Sequence, residues 1–191
     1  MYKENFCYRI PIREQLIEIA KERVQNEKGD VHSKYTKDPL GILTGYIGEV
    51  VFKDLFPNAE YHTHHKNQAT KFDFWFDGYK IDVKTSKKKE GYHPKPWYGT
   101  YAIPQYVRDW YLGNPSDDEK TDYYVLCDTN HDYTELYLLG MVDCEKFYQN
   151  VKSTQFPNGD IGWSVTYKFA WENSVLPLYE KEMKITEAVV W

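Results

Sequence analysis

Apolar residues recur at helical spacing early in the chain. Ile12, Leu16, Ile19, Ala20 and Val24 share one face with charges between them, which predicts an amphipathic helix over 12–27, ended by Gly29-Asp30. A second stripe, Leu43, Ile47, Val50, Val51 and Leu55, predicts a helix over 40–56, entered through Asp38-Pro39 and stopped by Pro57-Asn58. Gly45 and Gly48 are costly inside a helix and imply close approach to another backbone or a ligand. Residues 58–70 are polar and read as a loop. The period then becomes two: KFDFWFDGYKIDVKT alternates strictly about Asp77-Gly78, a strong hairpin signal. Residues 86–121 read as irregular, with a short helix near 104–112. Strands are expected at 122–127, 135–142 and 163–170, a helix from Asp143, and another strand in the KITEAVVW end. With no internal repeat or linker, this order predicts one mixed α/β domain over 1–191.

The hairpin brings in the chemistry. If Asp77-Gly78 is a two-residue type I′ turn, Phe76 faces Tyr79, Phe74 faces Ile81 and Phe72 faces Val83, so one face is wholly apolar. The other face pairs Trp75 with Lys80, Asp73 with Asp82 and Lys71 with Lys84. Directly opposed carboxylates have β-carbons roughly 5 Å apart. At an effective dielectric of about 20 they repel by roughly 3 kcal/mol. A bound divalent cation reverses that sign, and hard oxygen donors suit Mg²⁺ or Mn²⁺. Lys84 lies on the same face, where an ammonium can position or deprotonate a water or stabilise charge on a phosphate. The plainer alternative makes the two acids decoration on a solvent-facing strand, with Lys84 as their salt-bridge partner. Concentration of acids and lysine on one face, opposite a wholly apolar one, favours the site.

Glu49 in a helix (TGYIGEVVF), the isolated Asp73 (KFDFW) and Asp82-Val83-Lys84 (IDVKTS) together resemble the PD-(D/E)XK, or restriction-endonuclease-like, nuclease superfamily. The resemblance spans roughly 40–150 and is loose in its later half, where TDYYVLC and ELYLLGMV are similar to the strands that complete that core. Phe72, not Pro, precedes the first Asp. The resemblance implies a mixed central β-sheet flanked by helices. It implies that Asp73, Asp82 and the Val83 carbonyl bind metal and that Lys84 acts on the attacking water. Glu49 then completes the acidic cluster, and Gln105 supplies an accessory polar group. It further implies DNA as substrate, a 5′-phosphate product and, in many members, a homodimer. A catalytically silent nucleic-acid-binding or assembly protein on the same fold, or a ribonuclease, is the alternative.

Composition adds limits. The net charge of −5 gives no global attraction to nucleic acid, but Lys84, Lys87, Lys88, Lys89 and Lys95 cluster, so a local groove can still be basic. The run at 87–89 reads either as a solvated segment or as DNA-backbone contacts. Aromatic residues reach 17 %, with 18 Tyr, which suits a core edge, an interface or base stacking; Trp97, Tyr98, Tyr101 and Tyr106 carry the same ambiguity. His62, His64 and His65 lack a zinc-type partner pair and read as a solvated loop or as phosphate contacts. Three scattered cysteines, Cys7, Cys127 and Cys144, predict reduced thiols. With no signal-like or membrane-spanning apolar run, a cytoplasmic protein is expected.

Overall fold

The computed structural model describes residues 2–4, 7–26, 39–62, 72–91, 100–113, 120–156, 159–181 and Met183. The chain opens with two antiparallel strands, β1 (Tyr2–Glu4) and β2 (Cys7–Pro11), followed by helices α1 (Glu14–Asn26) and α2 (Pro39–Leu55). Strands β3 (Glu60–Tyr61), β4 (Phe74–Phe76) and β5 (Tyr79–Lys87) come next, then β6 (Thr100–Pro104) and α3 (Gln105–Leu112). After β7 (Tyr123–Thr129) and β8 (Glu135–Asp143) come α4 (Cys144–Asn150), β9 (Lys152–Gln155), β10 (Ile161–Thr166) and α5 (Tyr167–Glu172). Among the described residues the strands form one large mixed sheet, in the order β1-β2-β8-β7-β5-β4-β3, and a small antiparallel one, β6-β10-β9. The architecture is mixed α/β, as the hydrophobic pattern predicts.

The two helices cover one face of the large sheet. Ile47, Val51, Phe52 and Phe56 of the α2 region meet Phe74, Phe76, Ile81 and Val83, a core in which Phe52 lies 5.1 Å from Phe74 between ring centroids. The opposite face is covered by the small sheet and by α4 and α5, with Tyr124, Leu126, Tyr101, Ile103, Phe147 and Val165 at its centre. The alternation along β7 therefore feeds two separate cores, which suits a sheet buried on both sides, while β5 gives Ile81 and Val83 to the first core only.

Several elements depart from the expected ones for physical reasons. The expected strand at 163–170 stops at Thr166, whose hydroxyl accepts a 3.0 Å bond from the Phe169 N–H and caps α5, so Tyr167–Ala170 is helical. Asp143 caps α4 in the same way, accepting from the Lys146 N–H at 2.7 Å, as expected. The irregular stretch contains β6, and the polar loop contains β3; both are too short for periodicity to reveal. β1 and β2 precede the first predicted helix, and their pairing with β8 is a long-range event no local pattern announces. The KITEAVVW strand, Lys71, Lys95, His64, His65, Trp97, Tyr98 and the Tyr106 side chain lie outside what is described. All three cysteines are buried thiols, and among the described residues no helix is long and apolar enough to cross a membrane.

Candidate active site

The Asp77-Gly78 turn folds as its sequence requires. Both residues have positive φ, 50° and 80°, and the strands pair Phe76 with Tyr79, Trp75 with Lys80 and Phe74 with Ile81. There the ladder ends. Asp73 and Asp82 are not a strand pair, and Phe72 does not face Val83; this corrects the extrapolated register. The Asp73 N–H instead donates to the Ile81 carbonyl at 2.7 Å, slipping one residue, and its carboxylate accepts from the Val83 N–H at 2.7 Å. Phe72 turns aside to stack on His62, with ring centroids 4.1 Å apart, and to meet the edge of Trp75. His62 is thus held against a ring and is not a solvated loop residue.

This slip makes the site. Beyond Ile81, β5 keeps β7 on one side but, among the described residues, has no strand on the other. In an extended strand the N–H and C=O of one residue point the same way. The Val83 carbonyl therefore looks out of the same unpaired edge as the N–H that Asp73 engages. On the far side Asp122 fixes the parallel register: its carboxylate accepts from the Lys80 N–H at 2.7 Å, and its own N–H donates to the Lys80 carbonyl at 2.9 Å. Asp82 thereby comes level with Tyr124 and is buried.

Lys84 and Asp82, two residues apart on one face, form an ion pair of 2.6 Å, with the Lys84 ammonium 5.8 Å from the centroid of the Tyr124 ring. Glu49 arrives from α2, on the other side of the sheet, and pairs with Arg23 of α1 at 2.9 Å. Helix and strand approach closely because Gly48 presses on Thr85: a β-carbon there would lie 1.8 Å from the Thr85 hydroxyl oxygen. Gly45 meets nothing within 4 Å, so the close approach expected of both glycines belongs to Gly48 alone.

Burial, followed by the charges of Glu49 and Asp82, pushes the Asp73 carboxyl well above the usual carboxylate range; Lys84 and the Val83 N–H act against this less strongly. Glu49 and Asp82 thus both act on Asp73 at the unpaired edge. Their oxygens, with the Val83 carbonyl, are the hard donors Mg²⁺ or Mn²⁺ takes, and the Asp73 charge is the one such an ion relieves. Among the described residues, however, no three acidic, His or Cys groups are gathered tightly enough to grip one ion as they stand. Glu49 and Asp82 are drawn toward Arg23 and Lys84 instead. The donor chemistry fits a divalent ion, but the three-acid clasp implied by the resemblance is not pre-assembled.

The expected nucleic-acid contacts divide. Lys87 lies over the Tyr133 ring at 4.2 Å, and Lys88 is paired at 3.0 Å with Asp128, which is fully buried and also accepts from the Tyr167 hydroxyl. Lys88 is therefore neither a solvated residue nor a spare phosphate contact. Lys89 and Gln105 are exposed. Tyr101 is buried, which gives it to the core rather than to a stacking surface. Arg23 has no local sign in the sequence beyond being a cation on an otherwise ordinary amphipathic helix. Nor does the sequence single out Tyr61, whose hydroxyl, raised mainly by burial, feels Arg23, Glu49 and Asp73 together.

Asp73→Asn tests the electrostatics directly. A carboxyl raised in the folded state favours folding when protonated, so its contribution is present at pH below the unfolded carboxylate value and is lost as pH rises through the folded one. The amide keeps an oxygen for the Val83 N–H and carries no charge. At neutral pH in EDTA the variant is expected to be more stable by about 1–3 kcal/mol, with a smaller loss of stability between acid and neutral pH. Urea melts at several pH values check this; a destabilised variant contradicts it.

Compared with protein-family models, with curated proteins and with solved structures, the chain matches none of them.

Proposed function

We propose that this chain is a divalent-metal-dependent nuclease, of the PD-(D/E)XK kind, that hydrolyses phosphodiester bonds in DNA inside the cell. The observation that carries this reading is that the charges of Glu49 and Asp82 both press on Asp73 at an unpaired strand edge, where Asp73 is charged at a cost and Lys84 is paired with Asp82. Asp73, Asp82 and the Val83 carbonyl would hold Mg²⁺ or Mn²⁺, with Glu49 completing the set. Such an ion supplies positive charge against the phosphate oxygens and eases deprotonation of water. Lys84 has its ammonium beside Asp82, where it orients the attacking water and stabilises charge developing on the phosphate. The strand and hairpin hold these groups on rigid backbone, so their relative positions cost little to maintain during reaction. Exposed Lys89 and Gln105 are the expected substrate contacts outside the centre, and a homodimer would let two such sites address two strands.

The test is cleavage of supercoiled plasmid, linear DNA and RNA side by side, in Mg²⁺, in Mn²⁺ and in EDTA. Metal-dependent nicking or linearisation of DNA, absent in EDTA, is the expected result; RNA cleavage alone would make it a ribonuclease. The ion pairs that occupy Asp82 and Glu49 favour a second reading, a silent nucleic-acid-binding protein on the same scaffold. Binding without cleavage across all metals would establish it.

A further inference from the structure

We propose that Trp75 is a base-stacking residue beside the site and makes the protein select single-stranded or otherwise unpaired nucleic acid. The inference rests on the nuclease reading and names the form of its substrate. Trp75 pairs with Lys80 in the hairpin, and both side chains point away from the face that carries Phe74 and Ile81. Asp82 lies two residues beyond Lys80, hence on the same face and diagonally across from Trp75, with roughly 7–8 Å between the two positions. The indole therefore stands next to the ion pair of Asp82 and Lys84.

What covers this face stops short of the indole. On β7, Tyr124 is level with Asp82 and 1 % exposed, with Phe147 and Tyr148 of α4 packed on its ring. On β4, across β5, Trp75 is 39 % exposed. Its neighbours in the row are Glu60 of β3 and Lys80, whose ammonium lies 5.6 Å from the centroid of the indole. Phe72 braces Trp75 from the side, 5.1 Å away and inclined at 79°, and is itself stacked on His62. A single exposed aromatic is ordinary on a protein surface. This one is held by a second ring and stands one pleat from the groups that would meet the phosphate. A phosphodiester seated there carries a nucleoside on each side, and every base offers a flat face to an aromatic ring. In a duplex both faces of a base are covered by its neighbours, so only an unpaired or terminal base can stack on Trp75.

The experiment measures binding of the full chain to a single-stranded oligodeoxynucleotide and to a duplex of the same length, in EDTA and in Ca²⁺. The parent is expected to bind the single strand about tenfold more tightly than the duplex, with quenching of tryptophan fluorescence. Trp75→Ala is expected to lose about tenfold for the single strand and little for the duplex. Trp75→Phe should keep most of the affinity, because a ring remains, and should lose most of the quenching. Tyr79→Ala is the control: that ring is 41 % exposed on the other face of the same hairpin, and both affinities should stay at the parent's values. If Trp75→Ala melts low, Trp75→Phe decides, since undiminished quenching places the base elsewhere and overturns the proposal. Equal losses for single strand and duplex in Trp75→Ala, or no loss, overturn the role of Trp75 and leave the nuclease reading standing. A parent that binds neither form in either buffer overturns both.

Discussion

Lys84→Ala and Asp82→Ala are each expected to lower Mg²⁺-dependent DNA cleavage by about a thousandfold or more, while changing stability unequally. Removing the lysine takes away a group that acts on water or phosphate. Removing the acid takes away a donor that holds the cation. The stabilities diverge because of what each leaves behind. Lys84→Ala strands a buried Asp82 carboxylate without its 2.6 Å partner beside an already disfavoured Asp73, so the metal-free protein should melt lower. Asp82→Ala removes one of the charges that press on Asp73, so the loss of packing is offset and the metal-free protein should hold its stability better. Equal loss of activity with unequal stability separates chemistry from misfolding. Cleavage assays and urea melts on the same preparations measure both, and near-parental cleavage by either variant would remove the nuclease reading.

What the sequence made legible was mostly what depends on neighbours in the chain. Asp77-Gly78 set the turn, and the turn set the faces of Phe74, Phe76, Ile81 and Trp75. Spacing alone put Lys84 on the side of Asp82. What periodicity does not carry is where a ladder ends. Asp73 was expected in register opposite Asp82, but its side chain captures the Val83 N–H that a longer β4 would have bonded, and the strand stops. Asp82 still acts on Asp73 through its charge, by a different geometry from the one the alternation suggests. Arg23, nearly thirty residues from Glu49 in sequence, becomes part of the site only through the packing of α1 on α2. Lys88 shows the reverse: a lysine that reads as solvated is spent on a buried aspartate forty residues away.

Gly48→Ala is expected to cost about 2–4 kcal/mol, whereas Gly45→Ala, three residues earlier in the same helix, should gain up to about 1 kcal/mol. Both replacements improve helix propensity equally; only their surroundings differ. At Gly45 the new methyl meets nothing within 4 Å. At Gly48 it would stand 1.8 Å from the Thr85 hydroxyl oxygen, 3.0 Å from the Thr85 β-carbon and 3.3 Å from a Val83 methyl. A β-branched side chain on a strand has few rotamers to retreat into, so helix α2 must lift from β5. Glu49 is the next residue and lifts with it. Under the nuclease reading, a shift of about 1 Å there lowers cleavage by about a hundredfold, beyond what the stability loss explains. Thr85→Ala offers the rescue. Its hydroxyl oxygen is buried and has no hydrogen-bond partner among the described residues, so removing it alone costs little, and the double variant should recover at least half of the Gly48→Ala loss. Urea melts of the two single variants and the double complete the cycle. An additive double variant would mean that the contact between α2 and β5 sets neither the helix position nor that of Glu49.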